Sequence, residues 1–423
     1  MGGATKPVII NIMPHGPAYH YAPDERPEIW WQKPDGGIVG LWSREWPDLI
    51  GEAVLKCSDA YEWEVWQPDL RADQVYSRTL ETGVTHRLFP AVEKVYRLGV
   101  RPQKGLYSEA IYSRLAEIKD TPLILHLHGF RVPFYFDILN RLGVEKKFPI
   151  FVVGHGMSRA PISELWELHR PLTYACLIAE QWRLRKALRH VDVISEQAES
   201  ALREIKRIYA GRIVKLTDGC DFGFWVPAPT VNTKHEMRKK LNISEGKKVF
   251  FASGNFVPRK QFQKLIGAFR EFIGRDDFVL VIAGHGDAAM TDQLASMVKP
   301  LEKAGRAILH PYVEGERLRD LYWASDVFVS VATDEGGPVS VMKAMGCGLP
   351  VMTTPVGTTY ELMASHGVGS IVPTRKYEEW VSAIEKILTD GPPQAIDVQA
   401  ARDAFDWGNI AMRFASIYGE LLS

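Results

Sequence analysis

Apolar residues along this chain fall into short consecutive runs, separated by longer segments of helical period. Val8-Ile-Ile-Asn-Ile-Met13 is one such run, ended by Pro14 and Gly16. Runs that are apolar at successive positions suit parallel strands buried on both faces, because neither side of such a sheet meets water. Leu123-Ile-Leu-His-Leu-His128, Ile150-Phe-Val-Val153 and Val191-Asp-Val-Ile194 repeat the pattern. Between the last two, Ile162 to His190 carries apolar residues at helical spacing with charges opposite, which predicts an amphipathic helix. Strands alternating with helices predict an α/β, doubly wound parallel sheet.

The second half repeats the theme. Lys248-Val-Phe-Phe-Ala-Ser253 predicts a strand, followed by a helix from about Gln261 to Ile273. Phe278-Val-Leu-Val-Ile-Ala283, Ala307-Ile-Leu-His310, Val327-Phe-Val-Ser-Val331 and Pro350-Val-Met-Thr353 predict further strands at regular intervals. A second Rossmann-like domain accounts for them. Gly219, Gly223, Pro227 and Pro229 interrupt the periodicity between Asp218 and Pro229, so the boundary is placed there. The chain divides into residues 1–218, 219–404 and a terminal helical segment, 405–423.

Composition narrows the function class. A length of 423 residues suits two domains of roughly 200 residues each. The 46% hydrophobic and 24% charged contents are those of a globular protein and exclude disorder. Lys+Arg and Asp+Glu both number 51, so no global field would hold nucleic acid. Cys57, Cys176, Cys220 and Cys347 are widely spaced, which argues against structural zinc and a disulfide framework. Met1 to Pro14 reads as a first strand and not a signal peptide, and no apolar stretch approaches the ~20 residues needed to span a bilayer. A soluble, cytoplasmic protein is expected.

The candidate chemistry concentrates between Asp334 and Pro350. Glu335 stands on a turn made by Gly336, Gly337 and Pro338, directly before a predicted helix. N–H groups at a helix N-terminus favour an anionic or oxygen-rich ligand, and adjacent glycines permit close backbone approach. This stretch resembles the donor-binding signature of retaining glycosyltransferases of family 4, the glycogen synthase-like and mannosyltransferase-like group. In that signature a second Glu follows eight positions after the first; here the position is Lys343. Asp218-Gly-Cys-Asp221 resembles the family's linker, and Ser253-Gly-Asn-Phe-Val-Pro-Arg-Lys260 resembles its phosphate loop. Ala283-Gly-His-Gly-Asp287, Ala324-Ser-Asp326, Thr354-Pro-Val-Gly357 with Glu361, and Phe405-Asp-Trp-Gly-Asn-Ile-Ala-Met follow in the family's order. In the first half, Gly36-Gly37, the His126/His128 pair and His155-Gly156 resemble its Gly-Gly loop and histidine-bearing strand ends.

The resemblance implies the GT-B architecture: two Rossmann-like domains facing across a cleft, with 1–218 on the acceptor side and 219–404 on the donor side. Segment 405–423 would cross back to the first domain. It implies a retaining, metal-independent transfer of a hexose-type sugar from a nucleotide-diphosphate donor to a glycan, lipid-linked or small-molecule acceptor. No cofactor and no metal are expected. Lys260 would stabilise the leaving phosphate, against the competing reading of a solvated surface lysine. Arg259 stands beside it, while the family's usual arginine is replaced by Asn255, whose amide lacks the charge and fork of a guanidinium. Glu335 would grip donor-sugar hydroxyls, aided by Gly336, Gly337 and Pro338; the competing reading is an acid that stabilises a helix N-terminus by about 0.3–1 kcal/mol. Gly36 and Gly37 would also touch the donor.

Lys343 admits three readings, because an ammonium cannot accept hydrogen bonds from ribose hydroxyls. It donates to the ribose or a phosphate, it marks a different leaving group, or transfer has been lost. His128 would hydrogen-bond the donor sugar near the reacting bond, although His126 shares its face in an ideal strand and either fits a core histidine equally. The segment His15 to Trp46 gathers Tyr19, Tyr21, Trp30, Trp31, Trp42 and Trp46. These aromatics either overhang the acceptor side or plug a long loop onto the domain. Basic residues in 183–215 (Arg183, Arg185, Lys186, Arg189, Arg203, Lys206, Arg207, Arg212 and Lys215) suit peripheral contact with a membrane or an anionic acceptor, or simply a solvated helix face. Alternatives to transfer are a sugar phosphorylase, a nucleotide-sugar epimerase, or a non-catalytic sugar- or nucleotide-binding scaffold.

Overall fold

A computed structural model describes residues 5–13, 29–41, 46–96, 102–118, 121–129, 133–142, 148–154, 171–310, 313–372 and 376–423. Tyr19, Tyr21, Trp42, His155-Gly156 and the predicted helix before Pro171 lie outside them. The chain forms two compact units. Met1–Leu216 with Ile410–Ser423 make the first, and Thr217–Asn409 the second.

The strands of the first unit are, in chain order, β1 (Val8–Ile12), β2 (Ile29–Gln32), β3 (Ile38–Leu41), β4 (Glu62–Asp69), β5 (Tyr76–Thr79), β6 (Thr85–Pro90), β7 (Val92–Tyr96), β8 (Gln103–Tyr107), β9 (Leu123–His128), β10 (Ile150–Val153), β11 (Val193–Glu196) and β12 (Arg212–Lys215). Eight of them form one sheet in the order β12-β11-β10-β9-β1-β4-β6-β5. Every pairing in it is parallel except that of β5 with β6. β2–β3 and β7–β8 are separate antiparallel hairpins.

Ile10, Ile12, Leu125, Leu127, Ile150 and Val152 point to one face and pack with Phe134, Tyr135 and Ile138 of the helix Pro133–Leu142. His126 and Phe151 point to the other, where the end of the chain covers them. The helix Trp407–Leu422 buries Ile410, Ala411, Phe414, Ile417 and Tyr418, one stripe at helical spacing. Phe414 meets the Phe151 ring at 6.0 Å, and the Tyr418 hydroxyl lies 3.0 Å from Nδ1 of His126.

The second unit contains β13 (Lys248–Ser253), β14 (Phe278–Ala283), β15 (Ala307–His310), β16 (Val327–Ser330), β17 (Val351–Thr353) and β18 (Ser370–Ile371). They form an all-parallel sheet in the order β15-β14-β13-β16-β17-β18. Numbered within the unit this is 3-2-1-4-5-6, the Rossmann order, and its direction of winding reverses between β13 and β16. Such a reversal leaves a crevice beyond the carboxyl ends of the two strands. The loops there pack tightly: a Cβ on Gly284 would lie 2.0 Å from the Gly254 carbonyl oxygen.

Asp326 explains the Ala-Ser-Asp motif structurally. Its carboxylate accepts the Val249 N–H at 2.8 Å and pairs with Arg238 at 2.6 Å and Lys234 at 2.7 Å, tying the start of β13 to the start of β16. Arg238 is buried, so removing its partner leaves an uncompensated charge. Asp326→Ala is expected to destabilise the protein by about 3 kcal/mol, read as an earlier urea midpoint.

Candidate active site

The site is built from the two loops that flank the sheet reversal. After β13 the chain passes Gly254 at φ +147, then Asn255, and enters a single 3-10 turn, Pro258–Lys260. Gln261 follows in the left-handed region, at φ 52 and ψ 31. That conformation costs a residue with a side chain about 1–2 kcal/mol. It ends the turn and redirects the chain into the helix Phe262–Arg270, so Lys260 stands on the bend and not on the regular helix. The Gln261 amide donates to the Pro258 carbonyl at 2.7 Å and holds the turn.

After β16 the chain reaches Glu335, Gly336 and Gly337, and Pro338 occupies the N-cap of the helix Val339–Gly346. Glu335 Oε1 accepts from Lys260 Nζ at 2.6 Å and from Arg259 Nη1 at 2.6 Å. The Glu335 and Lys260 side chains are only 9% and 13% exposed, against 48% for Arg259. A second strut joins the loops: the Thr333 N–H donates to the Arg259 carbonyl at 2.9 Å. Lys260 is therefore no solvated surface lysine, and Glu335 does more than cap a helix.

A third loop, after β17, supports the glycines. The Thr358 N–H donates to the Gly336 carbonyl at 2.8 Å. Gly357 has φ +76, and a Cβ there would lie 2.7 Å from that same carbonyl oxygen and 2.8 Å from Pro338 Cδ. Only glycine satisfies both the backbone and the space. The Thr-Pro-Val-Gly motif thus props up the Glu335 turn.

Lys343 belongs to different surroundings. Its ammonium lies over the Trp225 ring, 4.5 Å from the centroid. Burial lowers its pKa, opposed weakly by the neighbouring thiols of Cys220 and Cys347. Both thiols are buried, and desolvation pushes Cys347 up to about 12. Asn255 is exposed in the Lys260 loop, its carbonyl accepting the Val257 N–H at 2.9 Å.

The remaining predicted residues lie in the first unit. His126 and His128 stack at 4.6 Å on one face, as strand alternation requires. His126 is fully buried against Tyr418, whereas His128 ends β9 with Nε2 3.1 Å from Asn11 Oδ1. β1 and β9 are the neighbours at which the first sheet reverses, so the Asn11–His128 pair marks that unit's own reversal. Gly36 and Gly37 form the tip of the β2–β3 hairpin. Their N–H groups are engaged within the turn, with the Lys33 carbonyl at 3.0 Å and Asp35 Oδ1 at 2.9 Å. Trp225 carries no pattern signal in the sequence, whereas Asn11 does, as a polar side chain inside an apolar run.

Residues 233–404 match the model of the family described as glycosyl transferases group 1. That segment is similar to glycosyltransferase group 1 domains. The match contains Arg259, Lys260 and Glu335, the whole ion cluster, and also Lys343. An uncharacterized glycosyltransferase of Methanocaldococcus jannaschii is 26% identical over 44% of the chain, and a D-inositol 3-phosphate glycosyltransferase of Rhodococcus erythropolis is 26% identical over 62%. The chain spans 48% and 60% of their respective lengths. A D-inositol 3-phosphate glycosyltransferase of Xylanimonas cellulosilytica is 23% identical over 77% of the chain and 82% of its own length.

Among solved structures, a sucrose-phosphate synthase of Thermosynechococcus elongatus superposes with a TM-score of 0.69 at 15% identity, covering 98% of this chain and 99% of that one. Anabaena HepE, solved with UDP and glucose, gives 0.62 at 14% identity over 98% and 99%. These likenesses establish the fold as GT-B, with two Rossmann-like parts. Within the matched segment, Gly357→Ala is expected to lower stability by about 1–3 kcal/mol through the strained φ and the clash at Gly336, read from the urea midpoint.

Proposed function

We propose that the protein is a retaining, metal-independent glycosyltransferase that moves a hexose-type sugar from a nucleotide-diphosphate donor to a glycan, lipid-linked or small-molecule acceptor. The observation that carries the proposal is the Glu335 carboxylate oxygen held 2.6 Å from both Lys260 and Arg259 at the sheet reversal. The donor's diphosphate oxygens displace Glu335 from the two cations, and the released carboxylate accepts hydrogen bonds from sugar hydroxyls. The acceptor oxygen bonds to the anomeric carbon as the bond from that carbon to the phosphate oxygen breaks on the same face. The acceptor's proton passes to the departing phosphate, whose charge Lys260 and Arg259 hold.

Arg259 supplies the charge that Asn255 cannot. Both cations reach the same carboxylate oxygen, so both are available to one phosphate group. At the nucleotide end Lys343 offers a donor in place of an acceptor, with Trp225 as the adjoining aromatic face. Support for a nucleotide sugar comes from the fold relatives: HepE was solved with UDP-glucose, and an E. coli protein of TM-score 0.65 with UDP-2-fluoro glucose. The four cysteines are free thiols, which suits a cytoplasmic setting.

Thermal-shift titration with UDP, GDP, ADP and their sugars is expected to show stabilisation by one nucleotide series. If none of them stabilises the protein, the donor site is refuted. Lys260→Ala is expected to lower turnover about 100- to 1000-fold while leaving the fold intact by circular dichroism. NMR of the product should show the donor's anomeric configuration, and chelator should not change the rate. A protein that binds nucleotide yet transfers nothing to any acceptor would be the scaffold. Lys343→Glu is expected to weaken nucleotide binding about tenfold, since a carboxylate over the Trp225 face loses the cation–π contact and is poorly solvated.

A further inference from the structure

The helix Pro171–Leu188 buries Leu184, Ala187 and Leu188 in the first unit's core and turns its opposite face outward. Ile178 and Trp182 lie on that face, 47% and 65% exposed. Ala175, Ile178, Ala179 and Trp182 share one stripe, and Arg185, Lys186 and Arg189 continue it towards the helix end. An apolar stripe with a tryptophan, grading into cations along one helix, differs from a solvated helix face, where a large exposed aromatic has no purpose.

The next helix, Glu199–Ile205, extends the charge. Arg203 stands on it and Lys206 and Arg207 follow, all exposed. Arg185 Nη2 donates to the Arg207 carbonyl at 3.1 Å and ties the two segments together. Two members of the basic region leave the patch: Arg212 pairs with Glu420 at 2.7 Å, and Lys215 with Glu199 at 3.1 Å. Among the described residues, Lys186, Arg189, Arg203 and Lys206 make no ion pair.

We propose that this face docks the protein on the surface of an anionic bilayer. Trp182 and Ile178 enter the boundary between headgroups and acyl chains, and the cations meet lipid phosphates. The chain's formal net charge is zero, so the attraction is local to this patch and its apolar stripe sets the orientation. Nucleic acid would engage the cations and leave Ile178 and the alanines in water. The proposal concerns the first unit and is independent of the donor-site reading.

The test is co-sedimentation of the full chain with phosphatidylcholine vesicles, with and without phosphatidylglycerol. Binding is expected only with the anionic lipid and should fade as salt is raised. Lys186→Ala and Arg189→Ala should each lower the partition coefficient roughly fivefold. Trp182→Ala should weaken binding further, and brominated lipid should quench fluorescence in the parent protein but less in Trp182→Phe. All three positions are exposed, so folded variants are expected and circular dichroism checks them. Equal recovery on neutral and anionic vesicles, or unchanged binding by the Lys186→Ala, Arg189→Ala double variant, overturns the proposal. So does a lipid-free dimer that Trp182→Ala dissociates, which would make the face a self-interface.

Discussion

The double ion pair of Glu335 with Lys260 and Arg259 is the interaction around which the second unit's candidate site is arranged. A carboxylate that is almost wholly shielded from water needs a compensating charge. Here two cations from one loop provide it to an acid on another. The loops follow β13 and β16, neighbours in the sheet although β14 and β15 intervene in the chain. Parallel winding in both directions from β13 is what brings them together. Close backbone contacts then set their height: Gly284 against Gly254 on one side, Gly357 against Gly336 on the other.

The first unit follows the same logic with other chemistry. Its sheet also reverses between two parallel neighbours, β1 and β9, and polar side chains appear there: Asn11 and His128. Two residues earlier on β9, His126 has become part of the core. The last helix of the chain lays Phe414 and Tyr418 over it. One strand thus carries a histidine with a structural role and a histidine at its carboxyl end, separated by one step of the pleat pair.

The departures from the signature that Asp334 to Pro350 and the Lys260 loop resemble have opposite physical outcomes. Asn255 stands where the resembled signature has a guanidinium, and Arg259 from the same loop reaches the carboxylate that Lys260 also holds. Two cations therefore stand in that loop, both on the Glu335 carboxylate. Lys343 has no such compensation. It sits on the helix that begins at Pro338, yet its ammonium is folded over Trp225 among apolar groups and thiols, where burial lowers its pKa. The change therefore alters the electrostatics of the helix's second turn without touching the Glu335 turn itself.

Several strands were legible because consecutive apolar residues announce a sheet buried on both faces; β9, β10, β13, β14 and β15 have the bounds that pattern predicts. β4 was not legible, since Glu-Trp-Glu-Val-Trp-Gln-Pro-Asp mixes charge into a strand that is largely buried in the fold. Nor were the two hairpins, whose strands are only four or five residues long. The composition, the Gly-Gly-Pro turn and Lys260 in its Pro-Arg-Lys loop were local properties, readable without a fold. Which histidine of a pair is core, what Lys343 faces, and that Arg259 joins Lys260 on one oxygen depend on residues up to hundreds of positions away. Such contacts leave no periodicity in the chain, so only the tertiary structure decided them.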